Sequence, residues 1–384
     1  MIGICIKYFH ENYGGMLQAY ATTQIFEKMG LEYELIRYEK KKNFFFIIKS
    51  LPRLLNGVLL NDKYEALKKK IGMKKHPDIA RLDQRRMKAF GRFKDAHFTK
   101  LSPIYKGYKT LSKEAETYEA VITGSDQLWS PAGLPTNYYN LQFVPDGVKK
   151  ISYASSFGVS QIPWYQKRRT AAFLHRLDAI SMRENRGSEI VQELTGKEVP
   201  VVLDPVFMLT PEEWAERIPA RKPAGEPYIF AYFLGASPEH RDAVRKLAKK
   251  TGLRVITLRH LDQYVKADEQ FGDYAPYDVG PAEFLNLLRY ADYVCTDSFH
   301  GACFSIMHHK KFMVFSRYQD GAKHSKNSRI ETLCQNLGLE ERRYSKAFLK
   351  AIEAEINYQE VEKKLTAMRK HAMEYLSLAL LEGE

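Results

Sequence analysis

The sequence predicts an α/β protein of two halves that face each other across a cleft, with a basic helical region inserted into the first half. Short apolar runs typical of buried parallel strands alternate with helix-length segments along most of the chain. The 384 residues are long for a single core, and 221–227, rich in Pro, Gly and charge, has the composition of a linker. We expect a first domain at 1–222, a second at 223–345 and, in 346–384, a helix that packs back on the first domain.

The first half opens with a strand, a turn and a helix. The apolar run 2–9 predicts a buried strand, 10–15 a turn, 16–29 a helix and 34–38 a second strand. Gly14 and Gly15 lie in the turn. They either let a ligand approach the backbone or let the helix pack tightly on the strand, and the nucleotide-binding pattern GxGxxG is not met.

A basic region interrupts this rhythm at 40–113. It holds 21 Lys and Arg and 5 Asp and Glu, a net charge of +16. Since the whole chain has a net charge of +13, the rest of the chain has a net charge of −3. Its spacing predicts helices. The apolar stretch 44–60, which charges and a proline interrupt, either lies on a membrane surface with its cations facing anionic headgroups or caps the protein body. Nucleic-acid binding is not indicated, because no aromatic RNA motif or Cys/His finger is present.

The strand 120–123 leads into the sequence GSDQLW. Asp126 is able to accept hydrogen bonds from sugar hydroxyls, and Trp129 is able to stack on a sugar face. The alternative is that Ser125 and Asp126 only cap a turn. Further along, we predict strands at 149–157 and 199–203 and helices at 162–177 and 187–194.

The short strand 179–182 ends at Arg183. Its planar guanidinium suits a carboxylate or a phosphate in a ligand. An ion pair with Glu184 or Asp204, serving the fold alone, fits the spacing equally well.

The stretch 292–317 predicts a strand, a polar turn, a helix and a second strand. Because ligands of α/β sheets lie beyond the carboxyl ends of the strands, the turn at 297–301 is a candidate site. Free N–H groups at the helix start suit an anion, and His300 would add a titratable imidazole. The alternative is that Asp297 or Ser298 is only a helix cap. The other elements predicted in this half are strands at 228–234 and 254–258 and helices at 238–251, 280–290, 330–337 and 359–381.

A polar loop follows this unit and holds four candidate anion contacts: Lys323, Lys326, Ser328 and Arg329. With Asp126 and Arg183 on the first half and His300 on the second, we expect a cationic cleft that contains a histidine. Such a cleft suits an anionic small molecule.

Composition excludes several classes of protein. The four cysteines form no CxxC pair, which favours buried free thiols over disulfides or zinc. The N-terminal apolar run is too short for a signal peptide, and no uncharged run reaches the roughly 20 residues of a membrane span. We expect a cytoplasmic protein, peripheral at the inner face of the membrane if 40–113 contacts lipid.

Six motifs in order, NYGGMLQAYA, GSDQLW, SMRE, LDPVF, ADYVCTDSFHGACFSI and NSRI, closely resemble the polysaccharide pyruvyl transferase family. The resemblance covers about 1–339 and is weakest in 40–113. It implies two Rossmann-like domains facing across a cleft, as in glycosyltransferase-B folds. It also implies transfer of pyruvate from phosphoenolpyruvate to a sugar of a cell-surface polysaccharide or its lipid-linked precursor, usually as a ketal, with release of phosphate. No metal or organic cofactor is implied, since phosphoenolpyruvate is a co-substrate.

By the same resemblance, His300 is the general acid and base and Arg183 binds the anionic donor. Many relatives carry an arginine where this chain has Ser298, so Arg329 or a lysine of the following loop would supply that charge. The donor-binding residues that we expect are Ser298, Gly301, Lys323 or Lys326, Ser328 and Arg329. The acceptor-binding residues that we expect are Asn12, Tyr13, Gly14, Gly15, Ser125, Asp126, Gln127 and Trp129.

Two other functions fit the same features. A glycosyltransferase using a nucleotide sugar is the first, because a fold does not fix a reaction. A non-catalytic binding protein at the membrane, using its basic region, is the second.

Overall fold

The computed structural model describes residues 1–40, 74–223, 225–260, 263–317 and 328–381, together with 60, 64, 66–67 and 71–72. Two parallel sheets carry the fold, one of six strands and one of four. The chain is therefore an α/β protein built from two Rossmann-like units, as predicted.

The first sheet has the strand order β3-β2-β1-β4-β5-β6 and every pairing is parallel. The chain runs outward from β1 in one direction and then from β4 in the other, so the order reverses between β1 and β4. Its strands are β1 (Ile2–Cys5), β2 (Tyr33–Glu39), β3 (Leu101–Lys106), β4 (Ala120–Thr123), β5 (Lys149–Ser155) and β6 (Ala179–Met182). Its helices are α1 (Tyr13–Lys28), α2 (Pro77–His97), α3 (Tyr108–Glu114), α4 (Trp164–His175), α5 (Asn185–Thr195) and α6 (Pro211–Arg217).

The second sheet has the order β10-β9-β7-β8, also parallel, and reverses between β7 and β9. Its strands are β7 (Tyr228–Tyr232), β8 (Arg254–Thr257), β9 (Tyr293–Thr296) and β10 (Lys311–Val314). The helices are α7 (Pro238–Thr251), α8 (Pro281–Arg289), α9 (Phe299–Met307), α10 (Ser328–Leu337), α11 (Phe348–Ala351) and α12 (Tyr358–Leu381).

Helix α1 joins the two halves. Asn12 caps it by accepting a hydrogen bond from the Gly15 N–H at 2.8 Å, so the helix begins at Tyr13, three residues earlier than predicted. The Tyr13 ring stacks on Phe284 of α8 at 4.8 Å, and its hydroxyl donates to the Val279 carbonyl at 3.1 Å. One hydrophobic cluster contains these residues together with core residues of both halves. Helix α1 therefore packs against both halves at the base of the cleft.

The region 40–113 is not helical throughout, contrary to our prediction. Leu101–Lys106 forms β3, which pairs in parallel with β2 at the edge of the first sheet. Pro103 is tolerated there because one side of an edge strand needs no N–H donors. Helix α2 reaches the second half, where Arg86 Nη1 donates to the Arg259 carbonyl at 2.6 Å. Most of the apolar stretch 44–60 lies outside the described residues.

Helix α12 follows the second half in sequence and packs on the first. Tyr375 donates to the Ser152 carbonyl at 2.7 Å, Lys149 Nζ donates to the Leu380 carbonyl at 2.7 Å, and Arg369 Nε donates to the Phe207 carbonyl at 2.6 Å. These bonds tie α12 to the first sheet and to the turn beside it.

Two smaller findings concern the predicted elements. The segment 199–203 forms no regular strand, only a single bridge between Val201 and Met182. The four cysteines are buried and unpaired, as expected, and burial raises the pKa of the Cys5 thiol to about 12. Among the described residues, every helix is too short or too polar to cross a bilayer.

Candidate active site

The two reversal points face each other across a cavity of about 570 Å³. Open α/β sheets bind ligands at such points, beyond the carboxyl ends of the strands. Lys7, His10 and Asp126 line the cavity from the first half. Arg259, His260 and Arg317 line it from the second.

His300 lies at the junction of the two halves. Its helix, α9, is capped by Ser298, whose Oγ accepts from the Gly301 N–H at 3.3 Å. The side chain is 8% exposed and contacts the first half so closely that a Cβ on Gly14 would lie 2.3 Å from Nδ1. Its Nε2 is 3.6 Å from Asp204 Oδ2. The histidine is thus held among charged groups rather than in hydrocarbon.

Asp204 links His300 to Arg183. Its Oδ2 accepts from Arg183 Nη1 at 2.7 Å and from Ser125 Oγ at 3.0 Å, and both charged side chains are at most 1% exposed. Burial by itself raises the pKa of Asp204, but the facing His300 and Arg183 outweigh burial and hold that pKa well below its usual range. Asp204 is therefore a buried carboxylate that bridges the imidazole and the guanidinium.

Two more carboxylates surround the Arg183 guanidinium. Asp126 lies 3.7 Å from Nη2 and Glu184 lies 3.8 Å from Nε. Burial raises the pKa of Glu184, whereas at Asp126 the charges of Arg183 and His300 outweigh burial and lower the pKa. Asp126 also has a φ of 72°, a left-handed conformation that costs a non-glycine residue energy and is often found at functional sites. The ion pair with Asp204, one of the two alternatives for Arg183, is present in the structure.

Several polar atoms in this cluster are buried without a hydrogen-bond partner among the described residues. They are Arg183 Nε and Nη2, Arg329 Nε, Glu184 Oε2 and His300 Nε2. Burial and the nearby Arg183 lower the pKa of Arg329 to about 10. Because buried donors are rarely left unsatisfied, this set of N–H groups is suited to an anionic acceptor.

Trp129 does not lie on a sugar-binding surface, contrary to our prediction. It is 1% exposed, packs against Phe157 at 5.4 Å and Phe173 at 5.2 Å, and donates from Nε1 to the Tyr139 carbonyl at 3.0 Å. The apolar ring is buried in the core of the first half because a large aromatic gains most there. Gln127 is half-buried and lies against Gly158.

Burial also corrects the acceptor role predicted for Ser125, whereas Tyr13 borders the cavity although it is buried. Ser125 is fully buried and bonds Asp204. Tyr13 is buried between the halves. Of the predicted acceptor residues, Asn12, Tyr13, Gly15 and Asp126 border the cavity.

The residues predicted to bind the donor have different structural roles. The Ser298 side chain is engaged as the helix cap, the simpler alternative, and a Cβ on Gly301 would lie 2.6 Å from Thr296 Oγ1. Gly301 therefore serves close packing of α9 on β9 rather than ligand approach. Ser328 begins α10 and Arg329 is buried beside Phe299. Lys323 and Lys326 lie outside the described residues.

The cavity contains residues that we did not predict. Lys7 and His10 follow β1, Arg259 and His260 follow β8, and Arg317 follows β10. The rule that ligands lie beyond the carboxyl ends of strands was a sufficient signal for all five. Asp204 was considered only as a structural partner of Arg183, and its contact with His300 spans almost a hundred residues of sequence.

The family model for polysaccharide pyruvyl transferases matches residues 12–318. The chain belongs to this family. No curated protein matches it in sequence. The match includes His300, Arg183 and the carboxylates around them, but not Arg329, which lies beyond residue 318.

Three solved structures are similar over nearly their whole length. A UDP-N-acetylglucosamine 2-epimerase from Rickettsia bellii is 10% identical with a TM-score of 0.48, covering 98% of this chain and 97% of its own. The UDP-GlcNAc 2-epimerase from Neisseria meningitidis bound to UDP-GlcNAc is 11% identical with a TM-score of 0.47, covering 98% and 99%. MurG from Acinetobacter baumannii is 9% identical with a TM-score of 0.42, covering 98% and 97%.

The contact between Gly14 and His300 gives a first prediction. Gly14→Ala places a methyl group 2.3 Å from the His300 ring, so it should lower the free energy of unfolding by about 1–3 kcal/mol. Gly91→Ala on α2 is the control, since nothing lies within 4 Å of its Cβ and it should stabilise the helix slightly. Denaturant unfolding measures both. Equal stability of Gly14→Ala and the native protein would show that the halves are not in this contact.

Proposed function

We propose that this member of the pyruvyl transferase family moves pyruvate from phosphoenolpyruvate to a sugar of a cell-surface polysaccharide or its lipid-linked precursor. The product is a cyclic ketal and the leaving group is phosphate. The observation that carries the proposal is the position of His300, held by Gly14 and Asp204 between the halves of a pyruvyl transferase. An imidazole is able both to donate and to accept a proton, which suits both proton transfers of this reaction.

The chemistry requires one acid, one base and an anion site. A proton adds to the CH₂ carbon of phosphoenolpyruvate while a sugar hydroxyl forms a bond to C2 and loses its own proton. The bond between C2 and the bridging oxygen then breaks as a second hydroxyl of the sugar forms a bond to C2. Phosphate leaves and takes the proton of that second hydroxyl. His300 is the group proposed to accept the first hydroxyl proton and to supply the proton at CH₂. No oxidation occurs, and the proposal needs no metal or organic cofactor.

The donor carries a carboxylate and a phosphate, which we assign to the cationic groups around His300. The buried Nε and Nη2 groups of Arg183 and the buried Nε of Arg329 support this assignment because no described residue accepts a hydrogen bond from them. Arg317 lines the cavity of about 570 Å³, which Arg183 and Arg329 do not line, and its Nη2 donates to the Asp297 carbonyl at 3.0 Å. Lys323 or Lys326 is proposed as a further contact from the sequence alone. Peripheral membrane contact through 40–113, in a cytoplasmic enzyme, is likewise proposed from the sequence alone.

The experiment that tests this proposal measures which donor is consumed. Purified protein is incubated with phosphoenolpyruvate and a panel of galactose- and mannose-containing acceptors, and phosphate release is compared with nucleotide release from sugar nucleotides. We expect acceptor-dependent phosphate release from phosphoenolpyruvate. Nucleotide release alone would contradict the proposal and establish a glycosyltransferase, and no release from either donor would favour a binding protein.

A further inference from the structure

A second cavity, of about 1150 Å³, adjoins the first. The two cavities share Lys7 and His10, which follow β1. From these two residues the second cavity extends along the carboxyl ends of β2 and β3, away from the second half. It belongs entirely to the first half of the chain, since every residue that lines it lies between 7 and 139. A ligand in it would reach the cleft at Lys7 and His10.

The walls of this second cavity are strongly cationic. Five Lys and Arg side chains line it against two carboxylates. The cations are Lys7, Arg37, Lys40, Lys94 and Lys106, and the carboxylates are Glu39 and Asp95. Lys94 lies 3.7 Å from Asp95, a loose pair, and neither Lys7 nor Lys106 forms an ion pair with any residue in the described ranges. The positive charges of Lys7 and Lys106 are therefore available to a ligand with negative charge.

Aromatic side chains line the same cavity. Tyr38 stacks on Tyr138 at 5.5 Å, the Tyr139 ring lies 5.6 Å from Lys7 Nζ, and Phe9 is 50% exposed. Phe9, Tyr38 and Tyr139 are at least partly exposed and are able to present ring faces to a sugar, whereas Tyr138 is buried behind Tyr38. Together with the lysines, they indicate a ligand that combines sugar rings with a negative charge.

We propose that this second cavity binds the acceptor, and that the acceptor is an anionic glycan whose phosphate or carboxylate lies against Lys94 and Lys106. The name acceptor rests on the proposed function, whereas the binding of an anionic sugar does not. The cavity adds residues from β2, β3 and α2 to the acceptor side, none of which the family motifs in this sequence contain.

The test is binding to the full-length protein, measured by calorimetry. The probes are the 1-phosphates and the uronic acids of glucose, galactose and mannose, each compared with the neutral methyl glycoside. At least one charged sugar should bind at least tenfold more tightly than its neutral counterpart, and the difference should shrink at high salt. The two charged arms distinguish a phosphate from a carboxylate. Equal binding of charged and neutral sugars, or no binding of any charged sugar, would overturn the inference.

A matched pair of variants locates the site. Lys94→Gln/Lys106→Gln should weaken binding of the charged sugar by roughly tenfold and leave that of the neutral sugar unchanged. Lys246→Gln/Lys249→Gln removes two exposed lysines of α7, outside both cavities, and should change neither. An equal loss in both double variants would refute the location. Phosphoenolpyruvate binding is measured in parallel. If the protein binds charged sugars tightly but does not bind phosphoenolpyruvate, the proposed function is contradicted and this inference still stands.

Discussion

His300→Gln should lower acceptor-dependent phosphate release by roughly a hundredfold or more. Glutamine retains most of the volume between Gly14 and Asp204, so the buried junction stays filled, but it transfers no proton near neutral pH. The turnover rate is measured at saturating phosphoenolpyruvate, so that a weakened donor affinity does not imitate a loss of chemistry. The loss should fall on the turnover rate and should persist at every pH at which the native protein is active.

His175→Gln is the control for this change. His175 is an exposed residue of α4 that lines neither cavity, so the same substitution there should leave turnover unaltered. Circular dichroism and the unfolding midpoint establish that both variants keep the fold. A folded His300→Gln protein with native turnover would remove His300 from the mechanism.

Asp204→Asn should lower the free energy of unfolding by about 3–5 kcal/mol, because it leaves the Arg183 charge buried without its closest partner. The substitution keeps the shape of the side chain and removes only its charge. Since the folded-state pKa of Asp204 is depressed, its contribution is present above the unfolded-state pKa of about 4 and is lost as pH falls. Denaturant unfolding at pH 7 and pH 3 should therefore show a difference between native protein and variant that narrows in acid.

Asp146→Asn provides the matched comparison. Asp146 forms a similar pair with Arg176, at 2.8 Å, but its side chain is 93% exposed. Solvent screens an exposed pair, so its loss should change stability little. If the two variants are equally stable, the buried pair of Arg183 and Asp204 does not stabilise the fold in the way described.

The sequence was sufficient for most of the strands and helices that surround the site. The predicted strand 179–182 coincides with β6, and the predicted pattern at 292–317 is present as β9, α9 and β10. Strands of a parallel sheet are buried on both faces, so their continuous apolar runs stand out from the polar turns between them. The strand ends, and with them the position of His300, followed directly from these runs.

The direction of individual side chains could not be read in the same way. Trp129 and Ser125 follow β4 closely in sequence, but both are buried, one in a hydrophobic core and the other against Asp204. The carboxylates around Arg183 come from separate loops, and only the folded chain brings them together. Strand β3 was not predicted from the sequence because its proline and the surrounding charged residues are untypical of strands. An edge position in a sheet tolerates both.

The fate of the bridging oxygen of phosphoenolpyruvate tests the central claim most directly. Donor labelled with oxygen-18 at that position is incubated with the protein and an acceptor, and both products are analysed by mass spectrometry. If the pyruvyl group is transferred as proposed, C2 parts from the bridging oxygen, the label appears in inorganic phosphate and the acceptor gains an unlabelled pyruvate ketal. Label retained in a three-carbon product, with the acceptor unchanged, would mean that the phosphorus–oxygen bond breaks instead and would contradict the account.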